Sequence, residues 1–288
     1  MGIKDLIRFM KKISPTCFTT SFDKWKNNIL TGTELKIAID VPILAYRIAY
    51  KNGINQLHDE IIAFASRFKS TVGVPVFVFD GEKLKEKDEE RAKRENARSI
   101  RAAKEEVNTI EKRSLFDGEE ILVEITPQVF VPPRRQDYEK MIMTLTSLGY
   151  ECKRSKYEAE ALCAMLCRNG DVHAVITEDS DCFAYGCPNV ILQFNPTLSN
   201  QNNALVVNFE SVLSGLNLSP IQFVEFCVLL GNDFNDRIHL VGPVKSLHLI
   251  KSHENLNTIL TELDANELQR ERMQKSREIF LNFCYEKE

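Results

Sequence analysis

Apolar positions fall into two rhythms along the chain. Residues 2–13 set Ile3, Leu6, Ile7 and Met10 at helical spacing among basic residues, which predicts a short amphipathic helix. Leu35–Asp40 and Val74–Asp80 are short, nearly unbroken apolar runs that each end in an aspartate, the pattern of strands buried on both faces. Apolar helices through Tyr50 and over 57–68 lie between them. Strand, helix and strand at this spacing predict a parallel pair joined by a right-handed crossover.

The same alternation resumes after residue 130. Pro132-Pro133 precedes a helix marked by Tyr138, Met141, Ile142, Leu145 and Leu148 and stopped by Gly149, with a short strand near Tyr150. An apolar helix from Tyr157 to Asn169 follows, then the strand His173–Thr177, which runs into Glu178-Asp179-Ser180-Asp181. Asn189–Phe194 and Ala204–Phe209 read as two short strands at a sheet edge, and Pro220–Leu230 as a strongly apolar helix ending in Gly231-Asn232-Asp233-Phe234. Val241-Gly242-Pro243-Val244 is a tight turn opening another helix, and the charged tail from Ser252 is helical. Residues 115–133 carry only a weak strand pattern at 121–125 and find no place. The pattern as a whole predicts an α/β fold with a mostly parallel central sheet flanked by helices. Residues 1–113 and 114–215 together complete the sheet, and 216–288 form a helical appendage.

Length and composition narrow the function classes. With 288 residues and 43% hydrophobic content the chain can bury a large core. A net charge of −4 gives no global attraction to nucleic acid, so any polyanion must be held by a local patch. Eight cysteines form no C-x-x-C pair, which predicts reduced thiols inside a cell. No run approaches the ~18 apolar residues of a membrane span, and Met1-Gly2 lacks the hydroxyl residue at position 6 that acylation requires. Glycine at position 2 predicts loss of Met1 and a free amine on Gly2.

The candidate chemistry lies in the acids. In an open parallel sheet the ligand site lies beyond the carboxyl ends of the strands. Asp40, Asp80, Asp179 and Asp181 all occupy that end, so residues from three separate stretches are expected to meet there. One such aspartate is an ordinary turn former; four are a cluster. Asp179 and Asp181 aim at one point if the strand extends that far. Glu158 and Glu160 converge only if one precedes the helix proper, and Ser155-Lys156-Tyr157-Glu158 fits a plain capping box equally well. Oxygen-only ligands without histidine or cysteine select Mg²⁺ or Mn²⁺ over zinc, and two such ions are a standard means of splitting a phosphodiester.

Residues 82–113 hold 11 basic and 9 acidic side chains among 32. Such a run is usually a solvated helix laced with ion pairs. Here Lys83, Lys87, Arg91, Arg94, Arg98 and Arg101 step by 4, 4, 3, 4 and 3, which lines six cations along one helical face, as a phosphate backbone requires. The stripe starts directly after Asp80 and so must overhang the acids. At Gly242 the free N–H groups of a helix start can hold a phosphate, or the turn can simply pack two helices.

Met-Gly-Ile at the start, the strand ending in Asp40, Val-Phe-Val-Phe-Asp80-Gly81, Tyr-Glu158-Ala-Glu160-Ala, Thr-Glu178-Asp179-Ser-Asp181 and Leu-Leu-Gly-Asn-Asp233-Phe together resemble the flap endonuclease family, the XPG/Rad2-like structure-specific 5′ nucleases, in order and near spacing over about residues 1–255. The resemblance implies a PIN-like core, a helical arch over 82–113 and a C-terminal helix-two-turn-helix. It implies a nuclease acting on 5′ flaps and related branched or nicked DNA in replication, repair or recombination. Asp40, Asp80, Glu158, Glu160, Asp179, Asp181 and Asp233 would hold two Mg²⁺ or Mn²⁺ ions, directly or through water. Lys87 and Arg94 would contact the scissile phosphate, and Tyr46 would stack on a base beside it. Gly2, Lys83, Arg91, Arg98, Arg101, Gly242 and Lys245 are the further DNA contacts. In the family the turn at Gly242-Pro243 binds K⁺.

Two residues depart from the family pattern: Leu240 and Asp5 stand where the family has glycine. The charged, sparsely apolar arch suggests a divergent member, and a DNA substrate implies the nucleus or a viral replication site. No sliding-clamp motif is evident, so no clamp partner is expected. A binding scaffold that has lost catalysis is the non-enzymatic alternative, and the presence of all seven acids argues against it; an RNA exonuclease or junction resolvase on the same core is the other alternative, which core motifs do not separate.

Overall fold

The computed structural model describes residues 2–19, 22–29, 34–107, 110–114, 120–124, 130–195 and 204–285, with the side chains of 100–124 and 283–285 outside that description. In chain order the elements are α1 (Leu6–Ile13), β1 (Phe18–Thr19), α2 (Phe22–Ile29), β2 (Lys36–Asp40), α3 (Val41–Asn52), α4 (Leu57–Thr71), β3 (Val74–Phe79), α5 (Asp88–Val107), β4 (Ile110–Ser114), β5 (Glu120–Glu124), α6 (Arg135–Ser147) and β6 (Glu151–Arg154). Then come α7 (Ala159–Arg168), β7 (Ala174–Ile176), α8 (Asp181–Ala184), β8 (Asn189–Leu192), β9 (Leu205–Asn208), α9 (Phe209–Leu216), α10 (Pro220–Leu230), α11 (Pro243–Ser252), α12 (Leu256–Glu262) and α13 (Glu267–Tyr285).

Seven strands form one sheet in the order β1-β9-β8-β7-β2-β3-β6. The five from β8 to β6 run parallel; β9 runs antiparallel to β8, and β1 antiparallel to β9 and so along the five. The sheet is buried on both faces because its strands alternate between two cores. Ala38, Val76, Val78 and Val175 face a layer built from α1, α7 and the helices after residue 209. Ile37, Ile39, Phe77, Phe79 and Ile176 face α2, α3, α4 and α6. That period of two is the geometry of an extended chain, and it explains why β2 and β3 read as unbroken apolar runs. The first core draws on all three stretches marked out in the sequence, from Ile3 and Phe9 through Ala161 to Phe226 and Phe280.

Helix starts follow ordinary capping chemistry. Ser219 and Gln222 cap α10 reciprocally with Pro220 in the first turn, and Asn208 caps α9. Asp40 ends β2 and also caps α3, accepting from the Ile43 N–H at 3.5 Å. The seven cysteines with described side chains are all free thiols.

Three expectations need correction. The sheet edge is β1, a two-residue strand too short to show in the apolar pattern, and β9 lies inside it. The charged run is helical over 85–107, a 3-10 turn at Lys85–Lys87 leading into α5, and residues 110–114 pair with 120–124 as an antiparallel hairpin. The apolar run Ile121-Leu122-Val123 signals the second of these strands, but its partner is hidden in a charged sequence. Finally, the strand before the acidic run stops at Ile176, so Asp179 lies in a loop and Asp181 begins α8.

Candidate active site

Asp40 is almost fully buried at the carboxyl end of β2, beside the end of β7. The Thr177 hydroxyl donates to its Oδ2 at 2.6 Å. The Asp179 N–H donates to Thr177 Oγ1 at 2.9 Å, and the Asp181 N–H to Asp179 Oδ1 at 3.0 Å. This relay, rather than strand alternation, turns the two aspartates toward one point.

Asp80 follows β3. Gly81 lets the chain press against residues 155–157: a Cβ there would lie 2.0 Å from the Ser155 carbonyl oxygen. The Gly81 and Glu82 N–H groups donate to the Tyr157 and Lys156 carbonyls at 2.7 and 2.9 Å. Asp80 thereby reaches the start of α7 and accepts from the Ala159 N–H at 2.9 Å. That external cap replaces the capping box, which does not form. Glu158 is the extended residue before the helix, with φ −100° and ψ 135°. Its side chain therefore escapes the helical divergence from Glu160, and both meet the same cation.

The N-terminus is stitched to the same place. The Ile3 N–H donates to Ser180 Oγ at 2.7 Å, and the Lys4 N–H to the Gly231 carbonyl at 3.0 Å. Gly2 has φ +78°, and a Cβ on it would fall 2.1 Å from Asp179 Oδ1 and 2.6 Å from Asp181 Oδ1. Only a glycine with this backbone can lie across the acids. Asp233 is held by its neighbour Asn232, whose Oδ1 accepts from the Phe234 N–H at 2.8 Å and whose amide donates to Ser276 at 2.9 Å.

Lys87 fills the middle. Its Nζ lies 2.6 Å from Glu158, 3.4 Å from Asp233, 3.7 Å from Glu160 and 3.8 Å from Asp181, and 4.8 Å from the Phe234 ring centre. Arg94 donates to Asp233 at 2.5 Å and to Glu90 at 3.1 Å. Burial pushes Asp40 up to about 8, with the charges of Asp80 and Asp179 adding to it against the Thr177 hydrogen bond. Asp80 rises to about 6, although part of its surface reaches solvent, because protein crowds it on most sides and Glu158 is near. Glu160 and Asp181 rise well above the carboxylate range by burial, then by Glu158 and Asp179 respectively. Burial pulls Lys87 down, but the four carboxylates outweigh it and hold the ammonium charged.

Among the described residues no three acidic, histidine or cysteine side chains close on a point fit for an ion in this arrangement, since the ammonium occupies that space. The donor set nevertheless suits a hard divalent cation. Both oxygens of Asp181 are buried without a hydrogen-bond partner, and its nearest cation is beyond bonding reach. Leaving a carboxylate so is expensive unless an ion takes its place.

The basic stripe is only partly as expected. Lys83 is exposed and precedes α5, off its helical face. Arg91 is tied to Asp88 at 2.5 Å and to the Leu84 carbonyl at 2.7 Å, so acids of the same helix do lace the stripe, as they do at Arg94. Arg98 is exposed, its guanidinium 5.3 Å from the Tyr46 ring centre. The Arg101 side chain lies outside the described residues. Two ties anchor the base of α5: Arg272 grips Glu89 through two hydrogen bonds of 2.6 and 2.9 Å, and Lys93 pairs with Asp236 at 3.0 Å. Gly242 caps α11, and Lys245 is exposed on its first turn. Leu240 takes φ +60°, the left-handed backbone that a glycine supplies freely, and is 79% exposed. Asp5 takes φ 60° for the same reason and pairs with Arg237 at 2.9 Å.

Sequence reading missed Thr177, Ser180 and Tyr185, whose hydroxyl donates to Glu158 at 3.4 Å. Thr177 and Ser180 are interspersed with the acids of the 177–181 run, a signal that such a motif carries hydroxyl struts. Tyr185 leaves no trace beyond an apolar pattern.

Residues 1–101 match the XPG N-terminal domain and residues 149–233 the XPG I-region. Flap endonuclease 1 of Cryptosporidium muris is 31% identical over 286 residues, which cover 92% of this chain and 58% of that protein. The Bos taurus flap endonuclease 1 is 31% identical over 280 residues, 92% of this chain and 70% of the relative. This chain thus spans less than two thirds of the first relative's length and a little more of the second's. The structure of the catalytic core of Rad2 in complex with a DNA substrate superposes with a TM-score of 0.63 at 19% identity, covering 99% of this chain and 86% of that one.

Proposed function

The chain belongs to the flap endonuclease family of XPG/Rad2-like nucleases, and from that premise we propose that it is a structure-specific 5′ nuclease that hydrolyses phosphodiester bonds in flapped, branched or nicked DNA. The observation that carries this reading is the closing of Glu158, Glu160, Asp181 and Asp233, from three stretches of chain, on the buried Lys87 ammonium, with the Asp181 carboxylate buried and without a hydrogen-bond partner.

Nucleases of this family use divalent metals. The proposed ions are two Mg²⁺ or Mn²⁺, held by Asp40, Asp80, Glu158, Glu160, Asp179, Asp181 and Asp233. When bound, such ions neutralise charge at a scissile phosphate and lower the pKa of water. The rest falls to the chain itself. Thr177 and Ser180 fix the loop that orients Asp179 and Asp181, and Tyr185 steadies Glu158. Lys87 and Arg94, set among the carboxylates, would present their positive charge to the scissile phosphate. Gly2 lays its backbone across Asp179 and Asp181. Tyr46 stacks on a base next to the cut, while Arg91, Arg98 and Arg101 follow the backbone of the strand and Lys83 contacts it beside the arch. Gly242 and Lys245 grip the duplex, and the glycine-like backbone at Leu240 keeps the path of a turn that can bind K⁺. Such an enzyme serves DNA replication, repair or recombination inside the cell, in the nucleus or at a viral replication site.

A labelled panel of 5′ flap, nick, gap, four-way junction and RNA substrates tests the reading. Fastest cutting of the 5′ flap, abolished by EDTA and restored by Mg²⁺, is expected. Preference for RNA, equal cutting of all the DNA structures, or cutting that survives EDTA, overturns it.

A further inference from the structure

Beyond the acids, α3 carries two tyrosines one turn apart, Tyr46 and Tyr50, and a third aromatic ring from a distant stretch, Phe130, packs against both. The Phe130 ring centre is 4.7 Å from that of Tyr46 at a tilt of 58°, and 5.5 Å from that of Tyr50 at 60°. Phe130 is half-buried against the core, whereas Tyr50 is 60% exposed. A large ring braced at its edge and left mostly in water is unusual for a side chain that could fold down onto apolar surface. Arg98 lies over Tyr46, a planar cation resting where a flat partner fits. The two tyrosines also stand on the helix whose start Asp40 caps.

We propose that Tyr50, braced by Phe130, is a second stacking site for an unpaired nucleobase, one step farther from the acids than Tyr46. The proposal rests on the nuclease reading. Spacing supports a single strand rather than a duplex. Four residues of helix separate the tyrosines by about 6 Å along the axis, more than the ~3.4 Å between stacked bases of one strand. The Phe130 ring packs against both, tilted by about 60° to each. Bases resting on the two tyrosines therefore cannot stack on each other, which a duplex strand demands and a splayed one does not. Aromatic stacking of this kind is indifferent to base identity, as a structure-specific enzyme needs.

The test uses the full chain carrying Asp181→Ala to block cutting, and 5′-flap DNA with 2-aminopurine at successive unpaired positions next to the junction. Tyr50→Ala is expected to weaken binding about tenfold and to restore 2-aminopurine emission at one position. Tyr50→Trp should keep both affinity and quenching, Phe130→Ala should lose part of each, and fully paired DNA should bind Tyr50→Ala and the parent alike. An abasic nucleotide at that position should remove the difference between Tyr50→Ala and the parent. Flap binding by the parent with no change in Tyr50→Ala overturns the stacking site alone. Failure of the parent to bind flap DNA at all overturns it together with the nuclease reading.

Discussion

The Lys87 ammonium sits 2.6 Å from Glu158 Oε2, enclosed by carboxylates contributed by three other elements and loops. A buried cation at the centre of an acid cluster is the arrangement that lets the metal-free chain fold, because like carboxylates at these distances repel one another strongly. Lys87→Met should therefore destabilise the protein by about 3–5 kcal/mol in EDTA, the penalty for removing one partner of a buried charge network. Millimolar Mg²⁺ should recover much of that loss. Chemical denaturation with and without the ion measures both.

Asp40 sets the sign of a pH effect. Its carboxyl is raised from 3.8 to about 8 in the folded chain. Between those values the folded state keeps a proton that the unfolded state has released, so metal-free stability falls as pH rises through the window and flattens above 8. In EDTA the wild type should lose more Tm from pH 5 to pH 8 than Asp40→Asn does. Equal slopes would remove Asp40 as the source.

Gly2 cannot carry a side chain where it lies, given φ +78° and carboxylate oxygens only 2.1–2.6 Å from the point a β-carbon would occupy. Gly2→Val should push residue 2 off the acids while Leu6, Phe9 and Met10 keep α1 packed, and so lower flap cleavage at least tenfold with a Tm change of no more than a few degrees. A matched loss of Tm and activity would instead indicate general unfolding.

Leu240 holds a left-handed backbone without burying its side chain. The conformation costs about 1–2 kcal/mol for a non-glycine residue, and the greater unfolded-state entropy of a glycine offsets about 0.5–1 kcal/mol of any relief. Leu240→Gly should thus stabilise the chain by about 0.5–1 kcal/mol in thermal or denaturant unfolding.

Much of this is legible in sequence where one residue does one job. The strands ending at Asp40 and Asp80 stand out because burial on both faces makes their apolar runs continuous, and their register side by side follows. The clustering of Asp80 with Glu158 is legible from the topology of a parallel sheet, but its cause, Gly81 pressed on residues 155–157, is a backbone contact that no pattern displays. Strand alternation suggests that Asp179 and Asp181 converge and is wrong in its means, since hydrogen bonds through Thr177 do that work after the strand has ended. The charged run misleads in another way. Lys83 and the hairpin at 110–114 fit a helical count only because charge spacing carries no information on where a helix begins or stops.

The most direct check of the central claim is Mg²⁺-dependent cleavage of a labelled 5′ flap by Asp181→Ala beside the wild type, with binding to the same DNA followed in parallel. Asp181 is the most deeply buried acid of the cluster and the one whose oxygens lack any hydrogen-bond partner. Loss of cutting by at least a thousandfold with DNA affinity nearly unchanged is the predicted result. Cleavage at the wild-type rate would contradict a metal-bearing acid cluster as the catalytic centre.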